Sequence, residues 1–210
     1  TPPHSEETCQ TLVLNLQRQC APCCTHRLIE PLYFPMSSSS SIEVRSATLR
    51  DSKAITEVHL AATRAAYRDL LTPEHMVPVL ALAAQVDWRE AIEFSEPQVQ
   101  LANDQGQVVG FVGFDRSRDK GTPPTAGEIW ALQVAESHWG RGVGLALWDC
   151  AREGLLEEGC ISVSVWVPLR NERALRFFEL AGFKRDMATA KTVAMGSVKV
   201  EEVRLKRNLA

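Results

Sequence analysis

The sequence predicts one α/β domain of α+β character, built round a mixed sheet and running over residues 42–210. Three observations predict it. The 210 residues are 45% apolar and 23% charged, which suits one ordinary core and does not suit disorder. Hydrophobic periodicity changes near residue 98 from the helical repeat to the two-residue repeat of strands, and the two then alternate. Between one strand and the next helix lie three glycines in five residues, Gly140, Gly142 and Gly144.

The elements follow in order. Ile42 and Val44 alternate with polar residues as a short strand. Asp51 is placed to cap a helix in which Ile55, Val58, Ala62, Ala65 and Ala66 recur at helical spacing, reaching about Leu71. Thr72-Pro73-Glu74 starts a second helix, with Pro78 near its first turn. A third helical piece covers Trp88 to Phe94. Val99 and Leu101 then open a strand, Asp104-Gln105-Gly106 turns it, and Val108 to Phe114 returns. Residues 116–126 read as a loop. Glu128 to Val134 is a strand, Arg141 to Glu158 a helix stopped by Gly159, and Cys160 to Val167 a strand. Glu172 to Ala181 is a helix stopped by Gly182. In the tail Val198 and Val200 fall in one phase and Val203 and Leu205 in the other, which predicts one final strand with a bulge or break.

Residues 1–41 differ in character. They end in five serines (Ser37 to Ser41), a flexible linker by composition, and Met36 lies just before that run. The expectation is a poorly ordered N-terminal extension, or a mis-called upstream frame, ahead of a domain at 42–210. Four of six cysteines (Cys9, Cys20, Cys23 and Cys24) fall in this extension. Cys20-x-x-Cys23 has a spacing zinc accepts, and Cys20, Cys23, Cys24 and His26, with Cys9 or His4 as a further ligand, make a candidate set. However, no second pair follows at a finger or ribbon distance, so no metal is expected. Cys150 and Cys160 read as small buried residues rather than a secreted disulfide framework.

Charge and hydropathy exclude whole classes. The net charge of −3 is not the basic footprint of nucleic-acid binding. No apolar run reaches the roughly 18–20 residues that cross a bilayer, so no membrane partner is expected. No secretory leader is legible in residues 1–35, which favours the cytoplasm.

The most informative segment is His138-Trp139-Gly140-Arg141-Gly142-Val143-Gly144-Leu145. Glycines at a helix start let the backbone approach a ligand, and the free N–H groups with the positive helix end favour a phosphate. A Walker loop would end in Gly-Lys-Ser/Thr, which is absent. The dinucleotide frame Gly-x-Gly-x-x-Gly/Ala places Leu147 or Leu145 at its last position and fails. A turn serving geometry alone stays open. Trp139-Gly140-Arg141-Gly142-Val143-Gly144 resembles the Gln/Arg-x-x-Gly-x-Gly/Ala signature of the GNAT superfamily of N-acetyltransferases, with Trp139 in place of Gln or Arg. Asn171, Ala174, Phe178 and Gly182-Phe183 resemble a second block, Asn-x-x-Ala-x-x-x-Tyr followed by Gly-Phe, with Phe178 in the tyrosine position. The resemblance extends from about Ile42 to Leu205.

The resemblance implies a central mixed, mostly antiparallel sheet with helices on both faces, acetyl-CoA as co-substrate and an amine as acceptor. It implies that the pyrophosphate rests on the amides of Gly140, Arg141, Gly142, Val143, Gly144 and Leu145, with Trp139 opening the loop. The pantetheine arm would run between two splayed strands, bonded to main-chain groups of Leu132, Gln133 and Val134. The Val134 amide would polarise the thioester carbonyl. Asn171, Ala174 and Phe178 would line the cofactor, and Asn is equally a favoured helix cap. Glu128 is the candidate general base, with Glu136 and His138 as nearby alternatives. Tyr67 and Trp130 are the candidate acceptor-lining residues, followed by His59, Arg64 and Trp88. Phe178 cannot protonate a departing thiolate. That leaves a second class of function in view, a catalytically silent acyl-CoA-binding sensor or scaffold. A homodimer is compatible with the family. Acceptor identity and acyl length do not follow from the sequence.

Overall fold

The computed structural model describes residues 42–209, so the expected extension, its linker and its cysteine–histidine cluster lie outside the described residues. The elements are β1 (Glu43–Ser46), α1 (Ser52–Tyr67), α2 (Pro73–Ala84), α3 (Trp88–Phe94), β2 (Gln98–Asp104), β3 (Gln107–Arg116), β4 (Ala126–Val134), α4 (Val143–Glu157), β5 (Ser162–Pro168), α5 (Glu172–Leu180), β6 (Lys184–Met195) and β7 (Val198–Asn208). The seven strands form one sheet in the order β1-β2-β3-β4-β5-β7-β6. Every neighbouring pair is antiparallel except β4 and β5. The sheet is mixed and mostly antiparallel, as the resemblance implied.

Two cores cover its faces. On one face α4 and α5 bring Leu147, Trp148, Ala151, Leu155, Leu175 and Phe178 onto Ile129, Val163, Val165, Val167, Val203 and Leu205. On the other, α1 and α3 bring Ile55, Val58, Trp88 and Ala91 onto Val99, Leu101 and Phe111. Glycine decides how closely α4 packs: a Cβ at Gly127 would lie 2.6 Å from the Leu155 side chain, and one at Gly154 2.7 Å from the Phe114 ring. Overpacking of that kind costs about 1–3 kcal/mol.

Several elements differ from the sequence reading. The tail folds as two long strands rather than one broken strand. β6 is an edge strand and most of its residues are exposed, so it carries no apolar alternation to read. The irregularity lies in β6, between Asp186 and Lys191. α4 begins at Val143 rather than Arg141, because Gly140 (φ 72°) and Gly142 (φ 83°) are left-handed and outside the helix. Asp51 precedes α1, but its carboxylate binds Arg45 and the Thr48 amide instead of capping that helix. Cys160 is buried as expected; Cys150 is half-buried, and burial pushes both thiols up. No helix among the described residues is long and apolar enough to cross a membrane.

Candidate active site

The site begins with a slip in β4. Gly113 pairs with Ala131 and Phe114 with Ile129, so Trp130 is an extra residue on β4. A bulge of this kind bends its strand. The parallel pairing of β4 with β5 runs from Ala126–Ser162 to Ile129–Val165 and stops there. Beyond the bulge, residues 131–134 of β4 have no partner on the β5 side among the described residues. The slip also turns side chains: Ile129 and Leu132 both join the core under α4, while Ala131 joins the core under α1.

The gap is lined by main-chain groups. Ala135 donates its N–H to Val109 O at 2.8 Å, and Gly110 pairs with Val134. Antiparallel ladders alternate between bonded and non-bonded pairs. Leu132 and Val134 therefore point their N–H and C=O away from β3 into the gap, whereas Gln133 points its own towards β3. Of the three residues expected to hold a ligand arm, two face the gap. The Val134 carbonyl accepts the indole N–H of Trp139 at 2.9 Å, which ties the glycine loop back to the end of β4.

The loop is tied to the β4 end of the same gap by Trp139. Ala146 N–H is the first in α4 to find a helical acceptor, Gly142 O at 3.0 Å. The amides of Gly140 to Leu145 have no acceptor among the described residues, and the positive end of the fifteen-residue α4 lies behind the last three. Nothing stands within 4 Å of where a Cβ would project at Gly140 or Gly142, so both glycines serve the positive-φ turn. Gly144 has a different reason. A Cβ there would meet the Phe177 ring at 3.2 Å, so this glycine lets α4 approach α5. Arg141 is exposed at the rim, and the Arg173 guanidinium lies 4.0 Å over the Trp139 ring.

The second sequence block opens and carries α5. Asn171 Oδ1 accepts from Ala174 N–H at 3.1 Å and caps α5. Ala174 packs at the margin of the core. Phe178 is 5% exposed, with its ring centroid 5.1 Å from Phe177 and 5.2 Å from Phe183, so it is a core residue with no hydroxyl to offer. Its neighbour Phe177, rather than Phe178, stands beside Gly144.

The face under α1 and α3 holds the polar groups. Glu128 is 3% exposed, and its carboxylate accepts from Arg118 Nη2 at 2.7 Å, Arg118 Nε at 3.3 Å and the Arg118 amide at 3.0 Å. The same guanidinium lies 3.8 Å over the Trp130 ring, and Trp130 Nε1 is buried with no acceptor among the described residues. Trp166 repeats the arrangement one strand away. Its Nε1 donates to both Asp119 oxygens at 3.3 Å, Lys191 Nζ sits 3.4 Å over its ring, and Arg204 binds Asp119 at 2.9 Å.

The remaining candidates separate into used and unused groups. His59 is packed against Trp88 and Phe111 and accepts the Trp88 indole N–H at 3.1 Å, which makes both part of the core. Arg64 is exposed on α1. Glu136 pairs with Arg68 on the surface, and His138 bridges Asp104 and Ser137. Tyr67 is half-buried at the end of α1; its hydroxyl meets Met195 Sδ at 3.7 Å, and burial with the nearby Glu202 charge pushes its phenol up to about 12. Glu202 is half-buried on β7, opposite Pro168 and Lys191, and burial raises its carboxyl. Arg118, Asp119, Trp166, Lys191, Glu202 and Phe177 were missed by sequence reasoning. Strand register brings the polar ones and Trp166 together, α5 sets Phe177 beside Gly144, and no local motif marks any of them.

The acetyltransferase (GNAT) family model matches residues 64–183. The chain is 31% identical over 133 residues to the uncharacterized N-acetyltransferase YuaI of Bacillus subtilis (strain 168), covering 62% of this chain and 73% of that one. It is 28% identical over 104 residues to the mycothiol acetyltransferase of Paenarthrobacter aurescens (strain TC1), covering 49% of this chain and 32% of that one. Its fold is similar to that of the PaiA N-acetyltransferase from Thermoplasma acidophilum in complex with coenzyme A, with TM-score 0.66, 16% identity, and 80% of this chain and 99% of that one covered. YncA from Salmonella typhimurium with its cofactor acetyl-CoA is also similar, with TM-score 0.60, 20% identity, and 81% and 95% covered.

Proposed function

The chain belongs to the acetyltransferase (GNAT) family, and from that premise we propose that it transfers an acetyl group from acetyl-CoA to a primary amine by direct attack. The observation that carries the reading is a β4 main chain unpaired beyond the bulge, tied by Trp139 to a loop whose six amides find no acceptor among the described residues. Acetyl-CoA supplies a thioester, an acyl donor with a good leaving group. The chain's residues fit it: six amides suit a pyrophosphate, and Leu132 and Val134 suit a polyamide arm that lies along β4 like an added strand. Each charge-assisted hydrogen bond is worth about 1.5–3 kcal/mol. Trp139 fixes the loop against Val134, the work that an anchoring side chain must do at that position. The Val134 amide, aimed into the gap, is the donor for the developing oxyanion.

The acceptor side needs a proton sink. An alkylamine has a pKa of about 10.4, and holding it neutral near pH 7 costs roughly 4–5 kcal/mol. Glu128 takes that proton in our account, directly or through a water, when the half-exposed Arg118 guanidinium swings aside. The C–N bond forms, the C–S bond breaks, and the departing thiolate takes its proton from solvent because Phe178 has none to give. Phe178 also supports the second reading, an acyl-CoA-binding module without turnover. Release of free thiol from acetyl-CoA across a panel of amines separates the two. Amine-dependent release supports the transferase; tight binding with no release by any amine supports the module.

A further inference from the structure

Beside the Glu128–Arg118 pair a cavity of about 320 Å³ opens between α3 and the bulge of β4. Trp130 forms its inner wall, Trp88 its floor and Phe94, 65% exposed, its lip. Asp87, Glu90 and Glu96 stand round it. Asp87 spends its carboxylate on the amides of Arg89 and Glu90 at the start of α3. The Glu90 and Glu96 carboxylates have no ion-pair or hydrogen-bond partner among the described residues. The one cation at the cavity, Arg118, is already neutralised by Glu128. The space is therefore aromatic and net negative, and Arg118 over Trp130 shows that its wall accepts a flat cation at 3.8 Å.

Deepening the transferase reading and resting on it, we infer that the acceptor carries a second positive charge, which this cavity holds between the aromatic rings and the Glu90 and Glu96 carboxylates while its free amine is acetylated. Trp130 joins the two places. It is the bulge residue at which β4 leaves β5, and it stands two residues after Glu128. An amine seated at Glu128 with an aliphatic tail has the cavity as its next contact. A tail ending in an ammonium gains two carboxylates and an aromatic face, and a tail ending in a methyl gains only the rings. A carboxylate tail meets the repulsion of Glu90 and Glu96. Exposed ion pairs are individually weak, so the expected preference is about tenfold at low salt, fading as salt screens it.

The test compares butylamine, diaminobutane and β-alanine as acceptors, in the parent protein and in the Glu90→Gln, Glu96→Gln double variant. Both side chains are exposed, so the fold is not at risk. We expect kcat/KM for diaminobutane to exceed that for butylamine about tenfold in the parent and to approach parity in the variant, with the difference in KM. Parity in the parent, a preference unaltered by the variant, or preference for β-alanine overturns the inference. Should no amine be acetylated, the transferase reading fails. Calorimetry of diaminobutane against butylamine, with CoA present, then judges the cavity by itself: tighter diamine binding that the double variant weakens supports it, and equal binding rejects it.

Discussion

In the proposed mechanism the chemistry turns on Glu128. It is nearly inaccessible, and three donors from one arginine reach its carboxylate on β4. General-base catalysis typically contributes 10²–10⁴-fold. Glu128→Gln is therefore expected to lower kcat at least about a hundredfold while leaving acetyl-CoA affinity unchanged, as measured by steady-state kinetics beside calorimetry. Glu202→Gln gives the contrast: a half-buried carboxylate further along the same face, expected to change kcat less than about threefold. His59 shows what one residue does for stability. The Trp88 indole is only a donor, so His59 Nδ1 must accept and the ring is neutral in the fold. Burial lowers its pKa, so the unfolded chain binds a proton that the native one does not. Its contribution is complete above the ordinary histidine value of about 6.5 and is lost as pH falls through that value towards the folded one. Thermal melts should show Tm falling between about pH 7.5 and about pH 5.5, and His59→Gln, which still accepts from Trp88, should flatten that fall.

Among the elements, the glycine loop shows how legibility divides. The motif and its place between strand and helix were readable, because glycine spacing is local. The separate reason for each glycine was not readable, because it depends on partners far away in sequence. Gly142 answers to its own φ of 83°, and Gly144 to the Phe177 ring on another helix. Gly142→Ala is expected to lose about 1–2 kcal/mol through left-handed strain, and Gly144→Ala about 1–3 kcal/mol through overpacking. In urea denaturation, adding Phe177→Leu should restore part of the second loss and none of the first. Trp139→Phe removes the tie to Val134 O but keeps the aromatic face under Arg173. It should weaken acetyl-CoA about fivefold to tenfold, the worth of one hydrogen bond, with kcat at saturation nearly unchanged. β6 was illegible for the opposite reason. As an exposed edge strand it needs no apolar face, and its pairing with β7 is set by the hairpin at Gly196 (φ 64°) and by partners such as Asp186 and Lys206.

For the molecule as a whole, a mixed sheet could be read from the order of elements, helices on both faces from the family resemblance, and the glycine loop from glycine placement. The polar face under α1 and α3 could not. Arg118 and Asp119 sit in what reads as a plain loop, and Trp166, Lys191 and Glu202 occupy three different strands. What assembles them is the register of β4 against β3, β5 against β7, and β7 against β6. One residue of slip at Trp130 sends Ile129 and Leu132 to one face and opens the gap beside Val134. The central claim is that this gap and the α4 amides together form a single acetyl-CoA site. Titration calorimetry of acetyl-CoA into the parent protein and into Gly142→Glu tests it most directly. The variant places a carboxylate among the loop amides where no protein atom stands within 4 Å of the new Cβ. We predict one site per chain in the parent, and loss of at least about a hundredfold in affinity in a variant whose circular dichroism and cooperative melt are retained, since several charge-assisted bonds are at stake. Absence of binding by the parent, or equal affinity in a folded variant, would contradict the account.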